Sequence, residues 1–142
     1  VTLPAIDRGL AKSGRSREDF EIAYTPFIVS GKDEETFEKA KLEAKNRIAF
    51  YGSTPAYKNV LAVHGWGDMQ FELNKLSKEG KWAEMGEMIT DDILNVMGVM
   101  GEPSGIVAEI QSRYGDFTDR TSGGFNFVDA EQRVEMIAEL RG

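Results

Sequence analysis

The stretch FEIAYTPFIVSGKDEETFEKAKLEAKNRIAF, Phe20–Phe50, decides the fold class. From Ile22 to Val29 it is apolar at nearly every position apart from Thr25, the pattern of a strand covered on both faces in a parallel sheet. Pro26 removes one ladder donor from it. Ser30–Asp33 then reads as a turn into a helix over Glu34–Phe50. Asp33 suits the N-cap, and Glu34 and Glu35 suit the positive end of the helix dipole. Phe37, Ala40, Ala44, Ile48 and Tyr51 fall on one stripe at helical spacing. Strand, tight turn and amphipathic helix make the first half of a βαβ unit.

Upstream, Leu3–Lys12 reads as a short helix with Pro4 in its first turn and Gly14 as its stop, followed by a polar connection over Gly14–Asp19. Downstream comes Tyr51–Asp68, YGSTPAYKNVLAVHGWGD. It gathers three aromatics, three glycines and the only histidine into eighteen residues and reads as a loop. Helices are predicted over Asp68–Lys78, around Trp82, Met85 and Ile89, over Asp91–Met97 behind a Thr90 cap, and over Ser104–Tyr114. A short strand is predicted at Asp119–Phe125, and a closing helix at Asp129–Arg141. Asp129 with Gln132 has capping-box spacing, and Val134, Ile137 and Leu140 form the expected buried stripe. Two strands joined through crossover helices should run parallel. Two parallel strands alone leave unpaired edges, so the pattern implies missing strand neighbours.

The 142 residues suit one domain, and 41% hydrophobic with 29% charged residues can bury a core. A net charge of −7 argues against a nucleic-acid partner. The absence of cysteine excludes thiolate nucleophiles and cysteine-based zinc sites. No apolar run approaches the roughly 20 residues of a membrane span, and no leader pattern opens the chain, so a cytoplasmic protein without a membrane partner is expected.

Three stretches carry a family resemblance: YGSTPAY at Tyr51–Tyr57, HGWGD at His64–Asp68, and LNKLSKEGKWAEMGEMITDDIL at Leu73–Leu94. With them the chain resembles the C-terminal part of the luciferase-like flavin and deazaflavin oxidoreductases, over roughly residues 1–125. Gly101–Ile110 is similar to that family's Gly-Thr-Pro-Glu-Glu helix start, with Glu102 in place of the threonine and Ser104-Gly105 in place of the two acids. The resemblance implies an α/β fold, helix-rich, forming the C-terminal portion of a (β/α)₈ barrel with a helical insertion. The two strands would be its seventh and eighth. It implies coenzyme F420, or alternatively FMN, bound mostly by residues outside this chain, and hydride transfer to or from a small-molecule organic substrate.

Within that frame His64 is the candidate catalytic residue, a hydrogen-bond donor or general acid. The plainer role is packing on Trp66 or satisfying a backbone carbonyl. Tyr51, Tyr57 and Trp66 could stack on the cofactor, or could pin the insertion to the barrel. Ser122, Gly123 and Gly124 follow a predicted strand and could let backbone N–H groups approach a phosphate, or could form a plain turn. His64 with Asp68 is too incomplete for a metal site, so none is expected. Met85, Met88, Met97 and Met100 read as adaptable core. Lys12, Arg15 and Arg17 read as a solvated cluster. The competing possibility is a non-catalytic helical assembly module. Unpaired strand edges in either case predict a homo-oligomer or strand-swapped dimer.

Overall fold

A computed structural model describes residues 1–122 and 124–141. Its helices are α1 (Thr2–Ser13), α2 (Glu34–Ser53), α3 (Lys58–Ala62), α4 (Met69–Lys78), α5 (Trp82–Glu87), α6 (Asp91–Met97), α7 (Pro103–Tyr114) and α8 (Ala130–Arg141). Its strands are β1 (Ala23–Tyr24), β2 (Phe27–Val29), β3 (Gly98–Met100) and β4 (Arg120–Thr121). The architecture is α/β and helix-rich, as expected.

The strands depart from expectation in three ways. Phe20–Val29 is not one strand: the Thr25-Pro26 step divides it into β1 and β2, because proline has no N–H to carry the ladder through. The Asp119–Phe125 strand shrinks to Arg120–Thr121. A further strand, β3, lies directly behind α6. β2 pairs with β3 in parallel, Phe27 opposite Gly98 and Val29 opposite Met100. β1 pairs with β4 in parallel, Ala23 opposite Arg120. The parallel expectation holds, with three strand lines in place of two. Asp119 fastens the β1–β4 pair: its Oδ2 accepts the Ile22 N–H at 2.7 Å and the Arg17 guanidinium at 2.6 Å. Arg17 is therefore a structural partner and not merely a solvated charge.

Side chains alternate between the two faces of a strand, and two cores result. Val29 joins Ala44, Ile48, Leu73, Leu76, Ile89, Leu94 and the fully buried Met85 in one core, with Phe27, Phe37, Trp66 and the other three methionines of the Met-rich stretch packed against it. Val99 joins Ile106, Val107, Ile110, Phe125 and Met136 in the other, with Ile28 against them. Helices thus cover both faces of the short strands.

The caps behave as the sequence implies. Asp33 Oδ1 accepts the Thr36 N–H at 2.8 Å, Thr90 Oγ1 accepts the Ile93 N–H at 3.3 Å, and Asp129 Oδ1 accepts the Gln132 N–H at 2.9 Å. Gly14, at φ 69°, ends α1 in the left-handed region that glycine tolerates. The face of α8 is a correction. Val134 and Ile137 are exposed, and Met136 is the buried residue. Leu140, the third residue of the expected stripe, is half-buried against the same core as Met136, and the Arg133 side chain donates to the Phe125 carbonyl at 3.1 Å.

Most of the stretch Tyr51–Asp68 is helical, and only residues 63–68 form a loop. Tyr51–Ser53 complete α2, Pro55–Tyr57 form a 3₁₀ turn, and Lys58–Ala62 form α3. Gly52 is there for packing, since a Cβ on it would lie 3.0 Å from Leu73 Cδ1. Only Gly65, at φ 83°, uses glycine's conformational freedom in this run.

Candidate functional site

A cleft of about 630 Å³ lies between β2, one face of α2 and the segment after β4. Its lining follows from the helical repeat. Thr36, Lys39, Ala40, Glu43, Ala44, Arg47 and Tyr51 recur every three or four residues along α2 and so share one face. Thr25, Pro26, Phe27, Ile28 and Ser30 supply the strand side, and Gly124, Asn126 and Phe127 the third wall. The Arg47 guanidinium lies 5.2 Å from the centroid of the Phe27 ring, a cation–π distance. Ser30 is fully buried, and its Oγ has no hydrogen-bond partner among the described residues.

Of the sequence-predicted residues, the cleft takes in Tyr51 and Gly124. Ser122 sits beside it, its hydroxyl 2.7 Å from Thr25 Oγ1. Gly123 lies outside the described residues. Tyr51 meets Tyr57 at 5.7 Å between ring centroids, Phe50 at 5.7 Å and Phe27 at 6.4 Å, all tilted or edge-on. Trp66 does not join this group; it stacks on the exposed His64 at 5.2 Å with the rings 25° apart. The aromatic trio is therefore divided between two places. Sequence reasoning missed Ser30, Lys39, Glu43 and Arg47. The available signal was Ala40 and Ala44, two small residues on the apolar stripe flanked by charged neighbours.

Next to the cleft, Tyr24 packs against Tyr114 with centroids 4.6 Å apart. Burial, reinforced by the Tyr114 hydroxyl, pushes the Tyr24 phenol up to about 12. Among the described residues no three metal-ligating side chains cluster, and no helix is long and apolar enough to cross a membrane.

A deazaflavin or flavin ring needs flat walls on both sides and donors along its edge. The cleft does not provide these. It runs between a strand and that strand's own covering helix, and its aromatic rings stand at angles to one another. The described residues do not fit either cofactor as an enclosed site.

The profile of the family described as luciferase-like monooxygenase matches residues 1–120. The chain belongs to that family. An uncharacterized protein of Mycobacterium tuberculosis and its Mycobacterium bovis counterpart are each 42% identical over 120 residues, 84% of this chain and 35% of theirs. A 5,10-methylenetetrahydromethanopterin reductase of Archaeoglobus fulgidus is 32% identical over 144 aligned positions, 94% of this chain and 41% of its own. The luciferase-like chain thus spans between a third and a half of the length of the curated relatives it matches.

Proposed function

We propose that this chain forms part of an F420-dependent oxidoreductase of the luciferase-like family, moving a hydride between a reduced deazaflavin and a small organic substrate. The similarity to a protein named as a reductase, running over 94% of the chain, carries the proposal. The family resemblance of Tyr51–Tyr57 and His64–Asp68 supports the deazaflavin branch. An FMN-dependent monooxygenase is the alternative within the family. On this proposal the chain contributes the C-terminal portion of a (β/α)₈ barrel, with α3–α6 as its helical insertion. Its share of the chemistry is to close the barrel wall and exclude water, while the cofactor contacts lie mostly in the rest of the protein. His64 is the one proton-handling side chain it offers.

The test is a titration of the source protein with F420 and with FMN, followed by turnover of the bound form. Micromolar binding of F420 and hydride transfer are expected. Binding of FMN alone moves the assignment to the monooxygenase, and binding of neither overturns it. If the source enzyme keeps its kcat/KM after His64→Ala, the histidine has no catalytic role.

A further inference from the structure

Exposed aromatic rings gather at the end of α2. Phe50 lies 6.4 Å from Trp82 and 5.7 Å from Tyr51, and Tyr51 lies 5.7 Å from Tyr57, all between ring centroids. Lys58 follows Tyr57, and its Nζ lies 4.2 Å from the centre of the Phe71 ring. Rings from α2, the 3₁₀ turn, α4 and α5 thus make one surface. Their exposures are 55% for Phe50, 41% for Tyr51, 42% for Tyr57, 58% for Phe71 and 53% for Trp82. An aromatic side chain presents about 150–250 Å², so together they leave about 400–600 Å² of apolar area in water. That equals the largest patch of an ordinary monomer, and patches of that size often serve binding.

The position of this surface argues against a substrate wall. α2 turns back along the strand it follows, and its last turn returns to the start of β2, where the Tyr51 ring lies 6.4 Å from the Phe27 ring. In parallel α/β enzymes ligands are met at the opposite, carboxyl ends of the strands, here beyond Val29 and Met100. A macromolecular partner remains, and the charges identify it. The ring contacts run in the order Trp82, Phe50, Tyr51, Tyr57. At the Trp82 end, Lys81 is outnumbered by Glu79, 2.9 Å away, and by the charges of Glu84 and Glu72. At the Tyr57 end stands Lys58. A two-fold pairing sets each end of such a strip against the other end of its copy, so acid meets base twice and rings meet rings between them. The area suits such a dimer: each partner in a standard interface contributes about 800 Å², of which about 500 Å² is apolar.

We infer that this aromatic surface is a two-fold interface with a second copy of the same chain. Phe50 and Tyr51 lie at its centre, and Trp82 of each copy faces Tyr57 of the other. Self-association then uses rings carried by helices and leaves the strand edges out of the contact. The exclusion of a substrate rests on the proposed enzyme reading, whereas the pairing itself needs no cofactor.

Sedimentation of the source protein over a dilution series tests it. A dimer is expected. Trp82→Glu and Phe50→Glu, on different helices, should each raise the dimer Kd at least about 100-fold, because every substitution acts twice across a two-fold interface. Trp82→Phe should keep the Kd within about tenfold of the parent, and circular dichroism should show the same helix content in all of them. A source protein that is monomeric at every concentration overturns the inference, since the rest of its own chain or solvent then covers the rings. A dimer whose Kd neither glutamate changes uses another face, and also overturns it. So does a loss of kcat/KM in a Trp82→Glu protein that stays dimeric, which would make the surface a substrate wall. Cofactor binding is read separately: a dimer broken by both glutamates that binds neither F420 nor FMN refutes the activity alone, and a monomer that binds F420 refutes the interface alone.

Discussion

Gly31→Ala is the most informative single substitution in the fold. Gly31 is buried at the turn from β2 into α2. An added Cβ would lie 2.7 Å from both Phe37 Cα and the Thr36 carbonyl carbon, and closer still to the Phe37 nitrogen. Carbon atoms in good contact sit about 3.5–4.0 Å apart, so the deficit is about 1 Å. The obstacle is backbone and cannot rotate aside, so the first turn of α2 must move. Overpacking of this kind costs about 1–3 kcal/mol. The movement also breaks the bond from the Thr36 N–H to Asp33, 2.8 Å long, a cap worth about 1 kcal/mol. The expected loss is about 2–4 kcal/mol, or a midpoint lower by about 8–16 °C for a chain of this size. Urea unfolding followed by circular dichroism measures it, with an unchanged m-value as the sign that only stability has moved. Gly101→Ala is the control, because a Cβ at Gly101 meets nothing within 4 Å. A Gly31→Ala chain within about 0.5 kcal/mol of the parent would refute the argument, since that is the range of an ordinary surface change.

Gly105→Ala should raise stability by about 0.5–1 kcal/mol in the same assay, because Gly105 lies within α7 and an added Cβ there meets open space. Tyr24 should ionise above the ordinary phenol range, and its absorbance titration should move toward that range in Tyr114→Phe. The folded-state value is raised from 10.0 to about 12, so its stabilising contribution is complete below pH 10 and is lost as the pH climbs toward 12. Asp119 behaves in the opposite sense. Its bond from the Ile22 N–H, followed by its pairing with Arg17, lowers its pKa below 3.8. Its contribution is present above that value and is lost as the pH falls through the lowered one. Asp119→Asn should therefore flatten the acid limb of the urea midpoint plotted against pH, and an unchanged limb would remove Asp119 from the account.

Elements with strong local signals were legible in the sequence. The α2 stripe, the Asp33, Thr90 and Asp129 caps, the Gly14 stop and the parallel sense of the strands all follow from spacing and end chemistry. β3 was not legible, because Gly98-Val99-Met100 is three residues long and follows a helical stripe that a methionine continues. It is a strand because Phe27–Val29 offers it an edge, a tertiary cause that local pattern does not contain. Tyr51–Asp68 misled in the other direction. Its glycines suggested a loop, but Gly52 serves close packing on Leu73 inside a helix. The cleft was only half legible. Tyr51 and Gly124 could be named, whereas Lys39, Glu43 and Arg47 are exposed and read from sequence as solvated helix charges; only the packing of β2 and the segment after β4 beside α2 makes them the rim of a cleft.

The pairing of β1 with β4 also has a consequence in time. The Ile22–Asp119 and Thr25–Ser122 contacts each join residues 97 positions apart. A ribosome adds about 5–20 residues per second, so β1 leaves the exit tunnel about 5–20 s before its partner does. Over that interval α2 and the helices α4 to α6, whose contacts are closer in sequence, can assemble around Val29 and Leu73. The β1 edge stays bare until β4 emerges, and in a crowded polysome it is a segment available to a chaperone or to the same edge on a neighbouring nascent chain.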